Sequence, residues 1–418
     1  MTNHMNAAKS RSNKKSLLGG AMIIAGTTVG AGMFSLPVVG AGMWFSYSML
    51  MLVGIWFCML MSGLFLLEAN LHFEPGASFD TLTRDTLGQF WRIVNGLSIA
   101  FVLYILTYAY ISGGGSIVNH SLQGFGITLP QSVAGFAFAF VLALIVLIST
   151  KAVDRITTIM LGGMVITFFL ATGNLLMEIE PTSLFSPDGE SRYLPYMLAA
   201  LPFGLASFGY HGNVPSLVKY YGKDASTIVK ALVLGTSVAL VIYACWLVVT
   251  MGNISRSMFS DIIAQGGNMG VLVGALSESI ASENLSRVLT LFANLAVASS
   301  FLGVTLGLFD YLADLFDFDD SRIGRLKTAA ITFIPPTLLG LLFPNGFLIA
   351  IGFAALAATI WAVIVPALLA YKTRQLYPNS NSFRVPGGNV LIFVVVLFGA
   401  ITAICHLLAM ADILPVYR

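Results

Sequence analysis

The sequence predicts an all-α polytopic membrane protein: eleven transmembrane helices, arranged as two five-helix units of opposite orientation plus one further helix. Three observations carry that expectation. The apolar residues come in runs of span length, the basic residues alternate from side to side, and the first and sixth runs are interrupted in the same way. Of 418 residues, 57% are apolar and 10% are charged, and the mean hydropathy is +0.86. Soluble domains carry roughly 25% charged residues.

A helix needs about 20 apolar residues to cross a bilayer. Runs of that kind fall at 17–40, 46–71, 93–116, 130–149, 156–177, 196–218, 229–250, 287–309, 328–343, 346–371 and 389–411. The ninth is short, holds Pro335 and Pro336, and is joined to the tenth by the tight Phe343-Pro-Asn-Gly346 turn. Basic residues precede the first run, as in a signal peptide. That run is too long and lacks a small-residue cleavage site, so it is read as a retained helix. Cys58, Cys245 and Cys405 all lie inside runs, which suits buried thiols and neither a disulfide framework nor a metal spacing.

Orientation follows from Lys and Arg. Of the 21 basic residues, 17 fall in the N-terminal tail (Lys9, Arg11, Lys14, Lys15) and in alternate loops; Arg192, Arg256, Arg287 and Arg418 lie on the other side. A missed or invented span would destroy this split. The N-terminus is therefore expected in the cytoplasm and the C-terminus outside. The small net charge of +2 says nothing about partners, and no basic face remains for nucleic acid once the spans are removed. Membrane lipid is the expected surrounding, and no obligate protein partner is evident.

Five spans are an odd number, so a second five-span unit starts from the opposite side. The expected division is a tail at 1–16, a first unit at 17–177, an external loop at 178–195, a second unit at 196–371, and the eleventh helix with the C-terminus at 372–418. In span 1, Gly26-Thr-Thr-Val-Gly30-Ala-Gly32 precedes Pro37; in span 6, three glycines and two prolines fall between Leu201 and Pro215. Glycine and proline are the weakest helix formers. Unwound backbone at membrane depth is tolerated only inside protein or beside an aqueous cavity. Interrupted segments at matching positions of two halves point to a transport site at the midplane, where bare N–H and carbonyl ends hold opposite charges. The outer loop at 251–286 has room for a short helix or lid.

The opening Gly26-Thr-Thr-Val-Gly-Ala-Gly-Met-Phe-Ser-Leu-Pro37 resembles the amino acid–polyamine–organocation superfamily. Three further runs are more specific: Ser207-Phe-Gly-Tyr-His-Gly-Asn-Val-Pro-Ser216, the stretch from Ala298 to Phe316 with its Phe309-Asp-Tyr-Leu-Ala-Asp314, and Tyr104-Ile-Leu-Thr-Tyr-Ala-Tyr-Ile-Ser112. Together they resemble the bacterial hydroxy and aromatic amino acid permeases over nearly the whole chain. The resemblance implies a leucine-transporter-like fold with discontinuous helices 1 and 6. It also implies ion-driven import of an aromatic amino acid through the inner membrane, with L-tryptophan ahead of tyrosine.

On that reading the N–H groups of Gly30, Ala31 and Gly32 take the substrate carboxylate, and the carbonyl of Thr28 takes the ammonium. The competing reading of Gly26 and Gly30 is a small-residue packing seam. Carbonyls near Ala206 and Ser207 complete the ammonium pocket, and Phe208 and Tyr210 lie against the indole. Tyr104 and Tyr108 share a helix face at i, i+4, as substrate ligands or as ordinary core. Trp361 is a weaker gate candidate. His211 and Asn213 are costly in a span unless paired or facing a cavity, and for His211 a structural hydrogen bond competes with proton carriage.

No cofactor is expected beyond a coupling ion, H+ or Na+. The hydroxyls of Ser299 and Ser300, near Ala296 and Asn294, resemble the sodium site of this fold, which the carbonyls of Gly26 and Val29 would complete. Serines bonded to their own helix are the alternative. Proton-coupled relatives carry a lysine in span 5, whereas Met164 stands here. The acidic residues Asp310, Asp314, Asp317, Asp319 and Asp320 read as a solvated face paired with Arg322, Arg325 and Lys327. No nucleophile–base pair, metal cluster or phosphate loop suggests an enzyme. A channel would need a ring of repeated filter residues.

Overall fold

The computed structural model describes residues 16–177, 179, 181–185, 193–279 and 282–418. The tail lysines and arginine, Arg192 and most of the 178–194 loop lie outside them. All regular structure among the described residues is helical. In chain order the helices are α1 (Leu17–Thr28), α2 (Ser35–Gly40), α3 (Trp44–Asn70), α4 (Phe79–Leu87), α5 (Gln89–Gln123), α6 (Gln131–Ile148), α7 (Thr150–Met177) and α8 (Pro181–Phe185). There follow α9 (Met197–Ser207), α10 (Val214–Tyr221), α11 (Ala225–Asn253), α12 (Arg256–Ala264), α13 (Met269–Glu278) and α14 (Glu283–Leu315). The chain ends with α15 (Arg322–Leu342), α16 (Phe347–Thr359), α17 (Val365–Leu376) and α18 (Gly388–Met410).

Eight of these helical stretches are long and apolar enough to cross a membrane: α3, α5, α6, α7, α11, α14, α16 with α17, and α18. A ninth is the pair formed by α1 and Ala31–Gly40, bent by 49°. Two of the eleven predicted crossings fall outside this set for physical reasons. The sixth is divided into α9 and α10, each shorter than a span. The ninth, α15, is continuous, but Arg322, Arg325 and Lys327 in its first two turns dilute its hydropathy. The sequence had also not indicated α4, a short amphipathic helix capped by Ser78, whose hydroxyl accepts from Thr81 N. The 251–286 stretch holds two helices, α12 and α13.

The most buried stretches are α3 and the α16–α17 pair; α6, α7 and α18 are largely peripheral. Large apolar side chains such as Ile166, Phe169, Val390 and Phe393 point outward, as lipid-facing residues do. Lipid offers no hydrophobic drive for one helix to meet another, so close backbone approach matters more. A Cβ on Gly115 of α5 would lie 2.6 Å from Gly135 N of α6, and one on Gly235 of α11 would lie 2.5 Å from Ala21 O of α1.

Helix ends that the predicted topology puts on one side do touch. At the basic side, Tyr221 Oη donates to Ser16 O at 2.6 Å, and Arg325 donates to Val146 O and Leu147 O at the end of α6. Arg374 makes a two-pronged ion pair with buried Glu68 at 2.6 and 2.8 Å, and Glu68 also accepts from Val385 N. At the opposite side, Arg256 donates to the carbonyls of Ala41 and Gly42 just beyond α2 and lies over the rings of Tyr193 and Tyr417. The predicted acidic face is paired more sparingly than expected. Arg325 reaches Asp320 at 3.4 Å, but its stronger partners are the α6 carbonyls, which have no helical acceptor role left.

Between α16 and α17 the chain makes a π-helical turn, Ile360–Ile364. Such turns hold one residue more than an α-turn and recur at functional sites. Ser62 Oγ of α3 donates to Ala362 O inside it at 2.5 Å.

Candidate functional site

Both interruptions exist and they adjoin. α1 stops at Thr28 because Val29 and Gly30 are extended (Gly30 φ −169°, ψ −157°); the chain resumes as a 3₁₀ turn at Ala31–Phe34. α9 stops at Ser207, Phe208 leaves helical geometry (φ −108°, ψ 33°), and a 3₁₀ turn covers His211–Asn213. The carbonyls of Thr28 and Ser207 thereby lose the N–H donors that a continuous helix would supply. One side chain serves both: Tyr243 Oη of α11 lies 2.5 Å from Thr28 O and 2.6 Å from Ser207 O. Asn213 Nδ2 donates to Thr27 Oγ1 at 2.5 Å, which ties the same two segments at a second point.

On the N–H side, Ala31 N donates to Ser300 Oγ of α14 at 3.0 Å. Glycine at 30 makes that approach possible, since a Cβ there would lie 2.5 Å from Ser300 Oγ. Gly32 and Gly26 are less constrained. Their nearest neighbours would be Ser207 Oγ at 3.7 Å and Leu161 Cδ1 at 3.9 Å. Gly26 is therefore not a tight packing seam.

The remaining predicted residues divide into those at the break and those elsewhere. Phe208 is fully buried, and its ring meets Tyr243 edge-on at 5.3 Å. Ala206 lies in the last turn of α9. Tyr210 turns toward α3, where its hydroxyl donates to Met59 O at 3.1 Å in space left by Gly63. Tyr104 and Tyr108 do share a face, but their hydroxyls donate to Ile331 O and Phe343 O, both at 2.8 Å. Each phenol has one hydrogen, so both tyrosines are occupied by α15 and the turn after it.

His211 is fully buried between aromatic rings, stacked on Tyr210 at 4.7 Å and edge-on to Trp361 at 6.0 Å. Neither ring nitrogen makes a hydrogen bond of good geometry, and the ring is held by aromatic packing. Asn294 bonds Ser121 Oγ and Thr290 O, both at 2.9 Å, and so belongs to the α5–α14 contact. Ser299 Oγ donates to Ala296 O at 3.2 Å, the bond within its own helix weighed above. Val29 N donates to Ala25 O. Met164 is buried on α7.

Sequence reasoning missed the residues that finish the site. Tyr243 is the only tyrosine of α11, and a mid-span hydroxyl needs a polar partner within the protein; that was the available signal. It also missed an aromatic cluster beside the break. Phe34 lies 5.2 Å from Trp246 and 5.6 Å from Phe292, and Phe292 lies 5.4 Å from Phe168. Chemically, the site offers two helix C-termini that favour a cation, amide N–H groups that favour an anion, and an aromatic wall. That set fits a zwitterion with a flat apolar side chain.

Comparison with known proteins identifies the family. The chain is 60% identical over 413 residues (98% of it, 99% of the relative) to the tryptophan-specific transport protein of Pseudomonas aeruginosa. It is 59% identical over 404 residues (96% and 97%) to that of Shigella flexneri. It is 47% identical over 406 residues (96% and 98%) to the low affinity tryptophan permease of Escherichia coli K12. Residues 13–406 match the family described as the tryptophan/tyrosine permease family. A chain similar over nearly its whole length to tryptophan transport proteins, and matching the family over residues 13–406, is a member of the tryptophan/tyrosine permease family.

Proposed function

We propose that the chain is a secondary transporter importing L-tryptophan across the bacterial inner membrane by alternating access, driven by an ion gradient. The observation that carries this reading is the meeting of two helix C-termini, at Thr28 and Ser207, around one buried point. Two negative dipole ends aimed at one place favour an ammonium without any carboxylate. The names of the relatives supply the indole.

In this reading, units 17–177 and 196–371 are inverted five-span repeats of the leucine-transporter type. α9 with α10 serves as the sixth crossing and α15 as the ninth, and α18 follows as the eleventh. The touching of helix ends on alternate sides supports it, as does the basic bias, which sets the N-terminus in the cytoplasm and the C-terminus in the periplasm. The carboxylate goes to the N–H groups of Gly30, Ala31 and Gly32, with Ala31 N exchanging its bond to Ser300 Oγ for the carboxylate. The ammonium goes to the carbonyls of Thr28, Ala206 and Ser207, with Phe208 against the indole. Tyr104, Tyr108 and Tyr210 are supports of the pocket wall.

For the coupling ion, Met164 offers neither charge nor proton, which favours Na+ over H+. Carbonyls of Gly26, Val29 and Ala296 with the hydroxyls of Ser299 and Ser300 form an all-oxygen set. Ser300 Oγ keeps a lone pair after accepting from Ala31 N. His211 is the group to examine for H+. Purified protein in liposomes should take up labelled L-tryptophan saturably, with competition by unlabelled tryptophan; linear, uncompeted flux would mean a channel. Uptake on a pH gradient without sodium would contradict sodium coupling. The family description also embraces tyrosine, and equimolar tyrosine as competitor ranks the two substrates.

A further inference from the structure

The Tyr243 hydroxyl is in an unusual position. A phenol carries one hydrogen, yet its oxygen lies 2.5 Å from Thr28 O and 2.6 Å from Ser207 O. Only one carbonyl can receive that hydrogen at a time, and the other faces a lone pair across the same short gap. Both carbonyls are the last of their helices, so both carry the negative end of a helix dipole. The side chain is wholly buried and is held by the ring of Phe208. Bulk solvent therefore does not reach the second carbonyl, and a buried, under-satisfied carbonyl is costly.

An alkylammonium suits this place better than a phenol does. It has three N–H donors, so it can serve both carbonyls at once, and its charge matches the two dipole ends. Resting on the transport reading above, we propose that the Tyr243 hydroxyl is a stand-in for the substrate ammonium: it occupies the ammonium subsite of the ligand-free transporter, and binding requires its displacement. Tyr243 is thus a specificity-determining residue. A ligand bearing an indole and a carboxylate but no ammonium leaves the phenol in place, so only an ammonium-bearing ligand has to break its hydrogen bond. The stand-in also keeps the two interruptions together when no substrate bridges them.

The test uses purified full-length protein in nanodiscs, in sodium buffer, because the proposed symport has ion and substrate bind together. L-Tryptophan and indole-3-propionate, which lacks only the amino group, are titrated against wild type and Tyr243→Phe. Removing the hydroxyl removes one net hydrogen bond that tryptophan has to break, so Tyr243→Phe should bind tryptophan about fivefold more tightly. Its affinity for indole-3-propionate should not change. Tryptophan binding that is equal or weaker in Tyr243→Phe overturns the stand-in while leaving the transport reading intact. Wild type that does not bind tryptophan at all sinks both. Should the variant fold poorly, 3-fluorotyrosine placed at 243 gives a second readout. Its fluorine resonance should shift with saturating tryptophan and not with indole-3-propionate, and a resonance unmoved by tryptophan overturns the proposal.

Discussion

Asn213 Nδ2 donates to Thr27 Oγ1 at 2.5 Å, joining two segments separated by 186 positions in the chain. The acceptor hydroxyl is itself fixed, since Thr27 Oγ1 donates to Ile23 O at 2.8 Å. The bond therefore links the end of α1 to the turn that opens α10.

Breaking that link should loosen the site more than the protein. In a double-mutant cycle, Thr27→Val and Asn213→Ala should show a coupling of about 1 kcal/mol, the net value of one hydrogen bond. Thermal denaturation of the purified variants measures it. Tryptophan affinity should fall in both single variants, and by no more in the double; additive losses would mean that the two residues act separately.

Gly30 and Gly32 should respond differently to alanine. At 30 a methyl would lie 2.5 Å from Ser300 Oγ, whereas at 32 the nearest atom would be 3.7 Å away. Overpacking of the first kind costs about 1–3 kcal/mol. Gly30→Ala should therefore abolish most tryptophan uptake, and Gly32→Ala should retain most of it. Adding Ser300→Gly to Gly30→Ala removes the clashing atom and should recover expression and thermal stability, even where transport stays low.

The Glu68–Arg374 pair is a strong structural prediction. Glu68 is 1% exposed, and its carboxylate takes both guanidinium nitrogens and Val385 N. Removing one member of such a pair leaves a buried charge unpaired and typically costs about 3–5 kcal/mol. Arg374→Met should lower the melting temperature sharply, and Glu68→Gln added to it should restore part of the loss. Melting curves of the single and double variants decide this; equal destabilisation in both would show that packing, and not charge, is at issue.

Much of the fold was legible because membrane crossing imposes one coarse rule on every span. Helix positions followed from apolar length, and the two interruptions followed from where glycine and proline cluster. The predicted sixth crossing falls on α9 and α10, neither of which has the length of a span. At the site, Thr28, Ala31 and Ser207 could be named because main-chain groups need no side-chain partner to be found. Tyr104, Tyr108 and Tyr210 show the limit. Periodicity gave the shared face of the first two, but a face does not say which carbonyl a hydroxyl will meet across a gap. Tyr243 was missed for the complementary reason: its role comes from two chain ends that only folding brings to the same phenol.

The π-turn at Ile360–Ile364 sets the aim of everything that follows it. Deleting one residue there would let the coil run on uninterrupted, and each α-helical residue rotates the chain about the axis by about 100° and advances it by about 1.5 Å. Trp361 could keep its place beside His211, but Arg374 would swing away from Glu68 and the approach to α18 would be redirected. A single surplus residue thus acts as an angular offset, allowing one rod to satisfy an edge-on aromatic contact at its middle and a buried ion pair at its foot.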